Sequence, residues 1–193
     1  MMLKNRLLTA ENFKTSSWTG GKTTELYIHP LGSNLKDRNF DIRLSTATVE
    51  IERSIFTKLP SVSRTLIVLD GEMKLEHQNQ HTKILDKFKF DRFDGGWNTI
   101  SYGTCIDFNI MTTNRRASKV TPLLLVERDQ IVLQSCIEAE ASFLYVYKGV
   151  VSLSGKNEKY DLRDNNHFVL YKCDVLNIKA QENSEILLIE IFE

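Results

Sequence analysis

In "CIDFNIMTTNRR", Cys105 to Arg116, the first residues alternate: Cys105, Asp107, Asn109 and Met111 fall on one side of an extended chain, Ile106, Phe108 and Ile110 on the other. A carboxylate, an amide and a thioether side by side offer an acceptor, a group that both donates and accepts, and a soft apolar surface. That is the chemistry of a site for a small polar organic molecule. The same residues have a structural use, with Asp107 pairing an arginine to close one end of a sheet. Cys105 shares the face, but no histidine lies near it in sequence to activate it, and a lone cysteine is more often packing than nucleophile.

The arginine in question is Arg43. In "FDIRLSTATVEIE", Ile42, Leu44, Thr46 and Thr48 take one side and Arg43, Ser45, Ala47 and Val49 the other. Turned inward, Arg43 needs a carboxylate from the protein or from a ligand, because an unpaired buried charge is expensive. Turned outward, it needs none. Period 2 does not say which face is inside, so both orientations stand.

"SSWTGGKTTELYIHP" sets Trp18 before a Gly-Gly turn and Thr23, Thr24 and Glu25 after it. Consecutive glycines let the backbone approach a ligand or another strand closely, and two hydroxyls and a carboxylate beyond them can bind a polar small molecule. The plainer reading is a turn and a strand start. The spacing is not G-x-x-x-x-G-K-[ST], so no phosphate loop is expected. Among the histidines, His29, His77, His81 and His167, no His-x-His pair occurs. His77 and His81 flank the tip of "EHQNQH", a hairpin rather than the helix on which i, i+4 makes neighbours, and read as a solvated loop. Neither a metal nor another cofactor is expected.

The elements that must position these residues are strands. Alternating runs such as "TELYIHP", "RTLIVL", "EMKLEH", "SFLYVY", "VVSLSG" and "EILLIEI" are rich in β-branched and aromatic residues and are separated by Gly, Asn and Asp turns. No stretch carries a helical stripe of three turns. The fold class is therefore all-β. "TLIVLDGEMKLEHQNQHTKIL" and "FLYVYKGVVSLSGKNEKYDL" match in pattern about 78 residues apart, with Gly71 and Gly149 each between two strands, which points to an internal duplication. Two tandem jelly-roll barrels of cupin type, a bicupin, follow from that repeat, over residues 1–115 and 116–193, with a linker in "TTNRRASKVTP". An immunoglobulin-like pair is disfavoured by the missing Cys…Trp…Cys spacing.

Composition limits the partners. Twenty-five basic and twenty-five acidic residues cancel, so the positive field that holds nucleic acid or anionic lipid is missing. The apolar runs are far shorter than the roughly 20 residues that cross a bilayer. "MMLKNRLLTAENF" is not a signal peptide, and a cytoplasmic location is expected. Cys105, Cys136 and Cys173 form neither a disulfide framework nor a zinc motif and are expected as buried, reduced thiols.

Four motifs in order, a Trp-Gly-Gly-Thr-Thr start, an F-x-x-R-[LI]-S-x-A-x-V strand, an R-x-L-x-x-L-x-G turn and an acidic-Gly turn before D-F-N-x-M, resemble the HutD/Ves family of bicupin-like proteins over about the first 115 residues. The second half matches as a generic cupin repeat. The resemblance implies a pocket in the N-terminal barrel lined by Trp18, Thr23, Thr24, Glu25, Arg43, Ser45, Asp107 and Asn109, with Arg64 added after the Pro60 turn. It favours the inward orientation for Arg43. It also implies an association with histidine utilisation, through binding of a small carboxylate and limitation of flux.

The leading expectation is a metal-free receptor for a small organic acid, with Arg43 or Arg64 pairing the ligand carboxylate bidentately. A metal-free isomerase or epimerase using Asp107 or Glu25 as acid or base is the rival from another class. The third reading is a pair of structural interaction modules. Open sheet edges suit homodimer formation in all three.

Overall fold

The computed structural model describes residues 5–134, 138–156, 158–170 and 175–193. Among them a single 3-10 turn, Ala10–Asn12, is the one helical element, and every strand pairing is antiparallel. The chain enters on β1 (Arg6–Leu8). Then come β2 (Lys14–Trp18), β3 (Gly21–His29), β4 (Ile42–Val49), β5 (Arg53–Ile55), β6 (Ser63–Gly71), β7 (Met73–His77), β8 (Thr82–Leu85), β9 (Phe90–Asp94), β10 (Thr99–Tyr102) and β11 (Cys105–Thr112). The remainder forms β12 (Ala117–Leu125), β13 (Gln130–Gln134), β14 (Ala141–Lys148), β15 (Val151–Ser154), β16 (Lys159–Leu162), β17 (His167–Leu170), β18 (Val175–Ala180) and β19 (Ser184–Phe192). No described helix is long and apolar enough to cross a membrane.

Phe13–Arg116 make one compact unit, while the residues up to Asn12 join Ala117–Glu193 in the other. The sequence reading divides the chain once, after residue 115; the structure adds a crossing near residue 12. Its cause is β1, which pairs with β17 in the register Arg6 to Val169, Leu7 to Phe168 and Leu8 to His167.

The first unit has a six-stranded sheet, β2-β3-β4-β11-β6-β9, and a four-stranded one, β5-β10-β7-β8. The second has β1-β17-β14-β19-β12 and β13-β18-β15-β16. The order β9-β6-β11-β4 matches β17-β14-β19-β12, and β5-β10-β7-β8 matches β13-β18-β15-β16. The two matching segments of sequence are thus a repeat of strand order. Gly71 and Gly149 hold the same corner in each, at φ of 79° and 100°, a region that residues with a side chain rarely enter. Among the described residues no pairing joins the edges of either set into a ring. Each unit is a pair of open sheets that meet through their side chains, where the sequence suggested closed barrels.

The cores differ in character. In the second unit Leu144, Val146, Leu153, Phe168, Ile178 and Ile186 form an apolar cluster. In the first, Leu66, Val68, Met73, Leu75 and Leu85 pack with Phe93 and Cys105, but only over part of the inner face. Cys105 is a buried free thiol. Cys136 and Cys173 lie outside the described residues.

Candidate functional site

β11 runs between β4 and β6, so each inward residue on it has a neighbour on both sides. Met111 lies between Arg43 and Arg64, Asn109 between Ser45 and Leu66, and Asp107 between Ala47 and Val68. Arg43, Ser45, Arg64, Asp107 and Asn109 are all buried. They line one cavity of about 320 Å³, with Thr23 on its wall and Trp18 and Ile55, 39% and 67% exposed, at its rim. The polar face faces inward, which settles the orientation that alternation alone leaves open.

Arg43 is held by the protein itself. Its Nε donates to Glu25 Oε2 at 2.7 Å and its Nη1 to Ser45 Oγ at 3.1 Å, with Met111 Sδ at 3.9 Å from the same nitrogen. The structural partner is Glu25 rather than Asp107. Neutralising Glu25 strands a buried guanidinium, so Glu25→Gln is expected to lower stability by about 2 kcal/mol in urea unfolding, below the full cost of a broken buried pair because Glu25 is partly exposed. An unchanged midpoint would show the pair to be incidental.

Arg64 is arranged differently. Its guanidinium carbon sits 4.7 Å from the centre of the Phe56 ring and 5.2 Å from that of Phe93. Cation–π contacts use the face of the guanidinium and leave its in-plane N–H groups free to donate. Arg64 Nε is buried with no hydrogen-bond partner, as are Asp107 Oδ1 and Asn109 Oδ1. Burial lowers the Arg64 pKa to about 10, partly offset by Asp107 and assisted by Arg43. Burial pushes the Asp107 carboxyl up to about 7, against the pull of Arg64. Half-protonated near neutrality, Asp107 leaves the cavity with an excess of positive charge, since Glu25 already balances Arg43.

The remaining expected residues separate. Thr23 lies on the face shared with Glu25, but Thr24, one position on, turns to the other face, where its hydroxyl meets Thr15 Oγ1 at 2.9 Å. The Gly-Gly turn approaches a strand closely: a Cβ on Gly21 would overlap the Thr48 carbonyl of β4. The Cys105 thiol is raised to about 12 by burial and by the charge of Asp107, so no thiolate nucleophile forms there at neutral pH. Phe56 and Phe93, which set the pose of Arg64, carry no polar signal and were missed from the sequence.

The histidines of "EHQNQH" require a correction. His77 N–H donates to the His81 carbonyl at 2.9 Å and Asn79 takes φ of 63°, so a hairpin with a three-residue loop brings residues i and i+4 face to face just as a helix does. His77 is buried rather than solvated, its Nδ1 2.8 Å from Thr99 Oγ1. Both Nε2 atoms converge on Asp91 Oδ2, at 3.1 Å from His77 and 2.7 Å from His81. Burial holds the His77 imidazole below its ordinary value, against the pull of Asp91. Burial alone would raise Asp91, but the hydrogen bond from His81 and the charge of Lys83 outweigh it and hold the carboxyl below the usual range.

The polar cavity belongs to the first unit. By cross-strand register, Asp107 faces Val68 on β6 as Ile186 faces Val146 on β14, and Asn109 faces Leu66 as Leu188 faces Leu144. Aliphatic side chains fill in the second unit the places that are polar in the first.

Paired antiparallel sheets around an inward polar face define a protein of the cupin-type β-fold, and its structural neighbours have that fold. The HutD family model matches residues 10–188, and the chain belongs to the HutD family. A conserved protein of unknown function, PA5104 from Pseudomonas aeruginosa PAO1, superposes with a TM-score of 0.84 at 21% identity over 99% of this chain and 100% of that one. HutD from Pseudomonas fluorescens SBW25, in its formate condition, superposes at 0.71 with 19% identity over 98% of each. YhhW from Escherichia coli does so at 0.76 with 11% identity over 97% of each. No curated protein matches the sequence.

Proposed function

We propose that the first unit is a receptor for a small carboxylate-bearing metabolite, in a chain built as two tandem cupin-type jelly rolls. The observation that carries this reading is the convergence of three buried atoms without protein partners, Arg64 Nε, Asp107 Oδ1 and Asn109 Oδ1, on one cavity. Native proteins rarely leave such atoms unmatched, and a ligand offering both acceptors and a donor would satisfy them together. Arg64 is the residue that receives the carboxylate, because Arg43 is already engaged by Glu25 and Ser45. A volume of about 320 Å³ suits a small metabolite. Two guanidinium groups and no histidine among the described lining residues make a donor set that repels a cation, which supports binding without metal.

Membership of the HutD family supports a regulatory role in histidine utilisation, exerted in the cytoplasm by binding an acid of that pathway. The β12 edge, where Leu124 stands 62% exposed, suits pairing with a second copy. A titration of formate, acetate, histidine and larger organic acids, followed by thermal unfolding, tests the receptor reading. The best ligand is expected to stabilise by about 2.7 kcal/mol at a hundredfold excess over Kd. No shift with any carboxylate would sink it.

One observation favours a second reading. A carboxyl group titrating near 7 is what acid–base catalysis at neutral pH requires, so Asp107 could shuttle a proton on a bound acid. Conversion of the bound acid by wild type, lost in Asp107→Asn with binding retained, would make the protein an enzyme.

A further inference from the structure

We infer that His77, His81 and Asp91 form a binding site for one first-row divalent transition-metal ion, separate from the carboxylate cavity. Their ligand atoms lie within 4.8 Å of one another, and they are the candidate metal-binding group among the described residues. Two imidazoles and one carboxylate are the donors that zinc and its neighbours prefer, whereas calcium and magnesium call for oxygen alone. With metal–ligand bonds of about 2.0–2.2 Å, the ligand atoms of a tetrahedral site stand about 3.3–3.6 Å apart. Asp91 Oδ2 lies 3.1 Å and 2.7 Å from the two Nε2 atoms, hydrogen-bond distances that open by less than about 1 Å to admit an ion.

The surroundings fit the same assignment. The Nδ1 of His77 meets the Thr99 hydroxyl, the kind of outer contact that fixes a ligating imidazole and leaves Nε2 to bind. Lys83 Nζ lies 3.3 Å from Asp91 Oδ1, which leaves Oδ2 as the ligating oxygen. The Trp97 ring stands edge-on to both imidazoles, and Phe93 packs against His77 at 4.5 Å. Phe93 also carries the guanidinium of Arg64 on its ring, so an aromatic wall stands between the cluster and the cavity. His81 has 39% of its side chain exposed. It can swing by the small amount needed to close around an ion, and it leaves open positions toward solvent.

The test uses the full-length chain without an affinity tag, stripped with a chelator and dialysed. Zinc is titrated by calorimetry and cobalt by visible absorption. Uptake of one equivalent at about micromolar affinity is expected, with the d–d bands of nitrogen and oxygen ligation. His81→Ala, at a half-exposed position that the core does not depend on, should weaken binding at least tenfold with an unchanged circular-dichroism spectrum. Asp91→Asn should do the same, and His29→Gln should bind as wild type does. No uptake, equal uptake by His81→Ala, loss in His29→Gln, or a sulfur-to-cobalt charge-transfer band would each overturn the assignment. Failure of this titration leaves the carboxylate titration unaffected, because the two sites share no ligating residue.

Discussion

Asp107→Asn is expected to stabilise the protein above neutral pH and to flatten the pH dependence of ligand binding. The folded carboxyl titrates at about 7 where its ordinary value is 3.8, mainly because burial disfavours the charged form. A group whose folded value is raised favours the folded state fully below the unfolded value, and that contribution is lost as pH rises through the folded value. The loss develops between about pH 4 and pH 7 and reaches about 4 kcal/mol at its end. Asparagine keeps the shape and never ionises. In urea unfolding the variant should therefore exceed wild type by up to about 4 kcal/mol near pH 8 and match it near pH 4. Binding follows the same proton: a carboxylate ligand meets a neutral Asp107 at acid pH and an anionic one at alkaline pH. Wild-type affinity should fall by up to tenfold per pH unit above about 7, while that of Asp107→Asn stays level. Parallel stability curves for the two proteins across this range would refute the assignment of the proton to Asp107.

Arg64→Leu should separate binding from folding. Removing one partner of a desolvated charge pair costs about 2–5 kcal/mol of affinity, so carboxylate binding should weaken by about 30-fold or more. Leucine packs against Phe56 and Phe93 without a charge to desolvate, and Asp107, left without its cation, takes up a proton instead of standing as an unpaired charge. Unfolding of the unliganded variant should occur at or above the wild-type midpoint. Arg64→Lys is not a substitute, because an ammonium offers no planar fork and no face for the two rings. Unchanged carboxylate affinity in Arg64→Leu would move the anion to Arg43. A large loss of stability would mean that the cation is a structural element.

The legibility of this site follows from where each residue gets its neighbours. Asp107, Asn109, Arg43 and Ser45 were readable as rows because alternation along a strand is local. Their common cavity was not, since the register that sets β4 beside β11 joins residues 56 to 70 positions apart. Arg64 shows no local signature at all and was reached only through the R-x-L-x-x-L-x-G motif. Thr24 was grouped with Glu25 by proximity in sequence, where period 2 should have separated them. The His77–His81 pair was misjudged for a geometric reason: a three-residue hairpin loop also makes i, i+4 neighbours, and Asp91 joins them from another strand. Strand order was legible as a repeat. The exchange of the N-terminal segment was not, because β1 pairs with a partner about 160 residues away.

That exchange bears on how the molecule is made. During synthesis β1 emerges about 160 residues ahead of its partner β17, so the two can pair only after the whole of Phe13–Arg116 has been made. The intervening unit can fold as soon as it is out, while β1 waits for a strand that is translated long after it. A fragment of residues 117–193 alone would expose the β17 backbone to any passing extended peptide, so β1 guards that edge against misassembly.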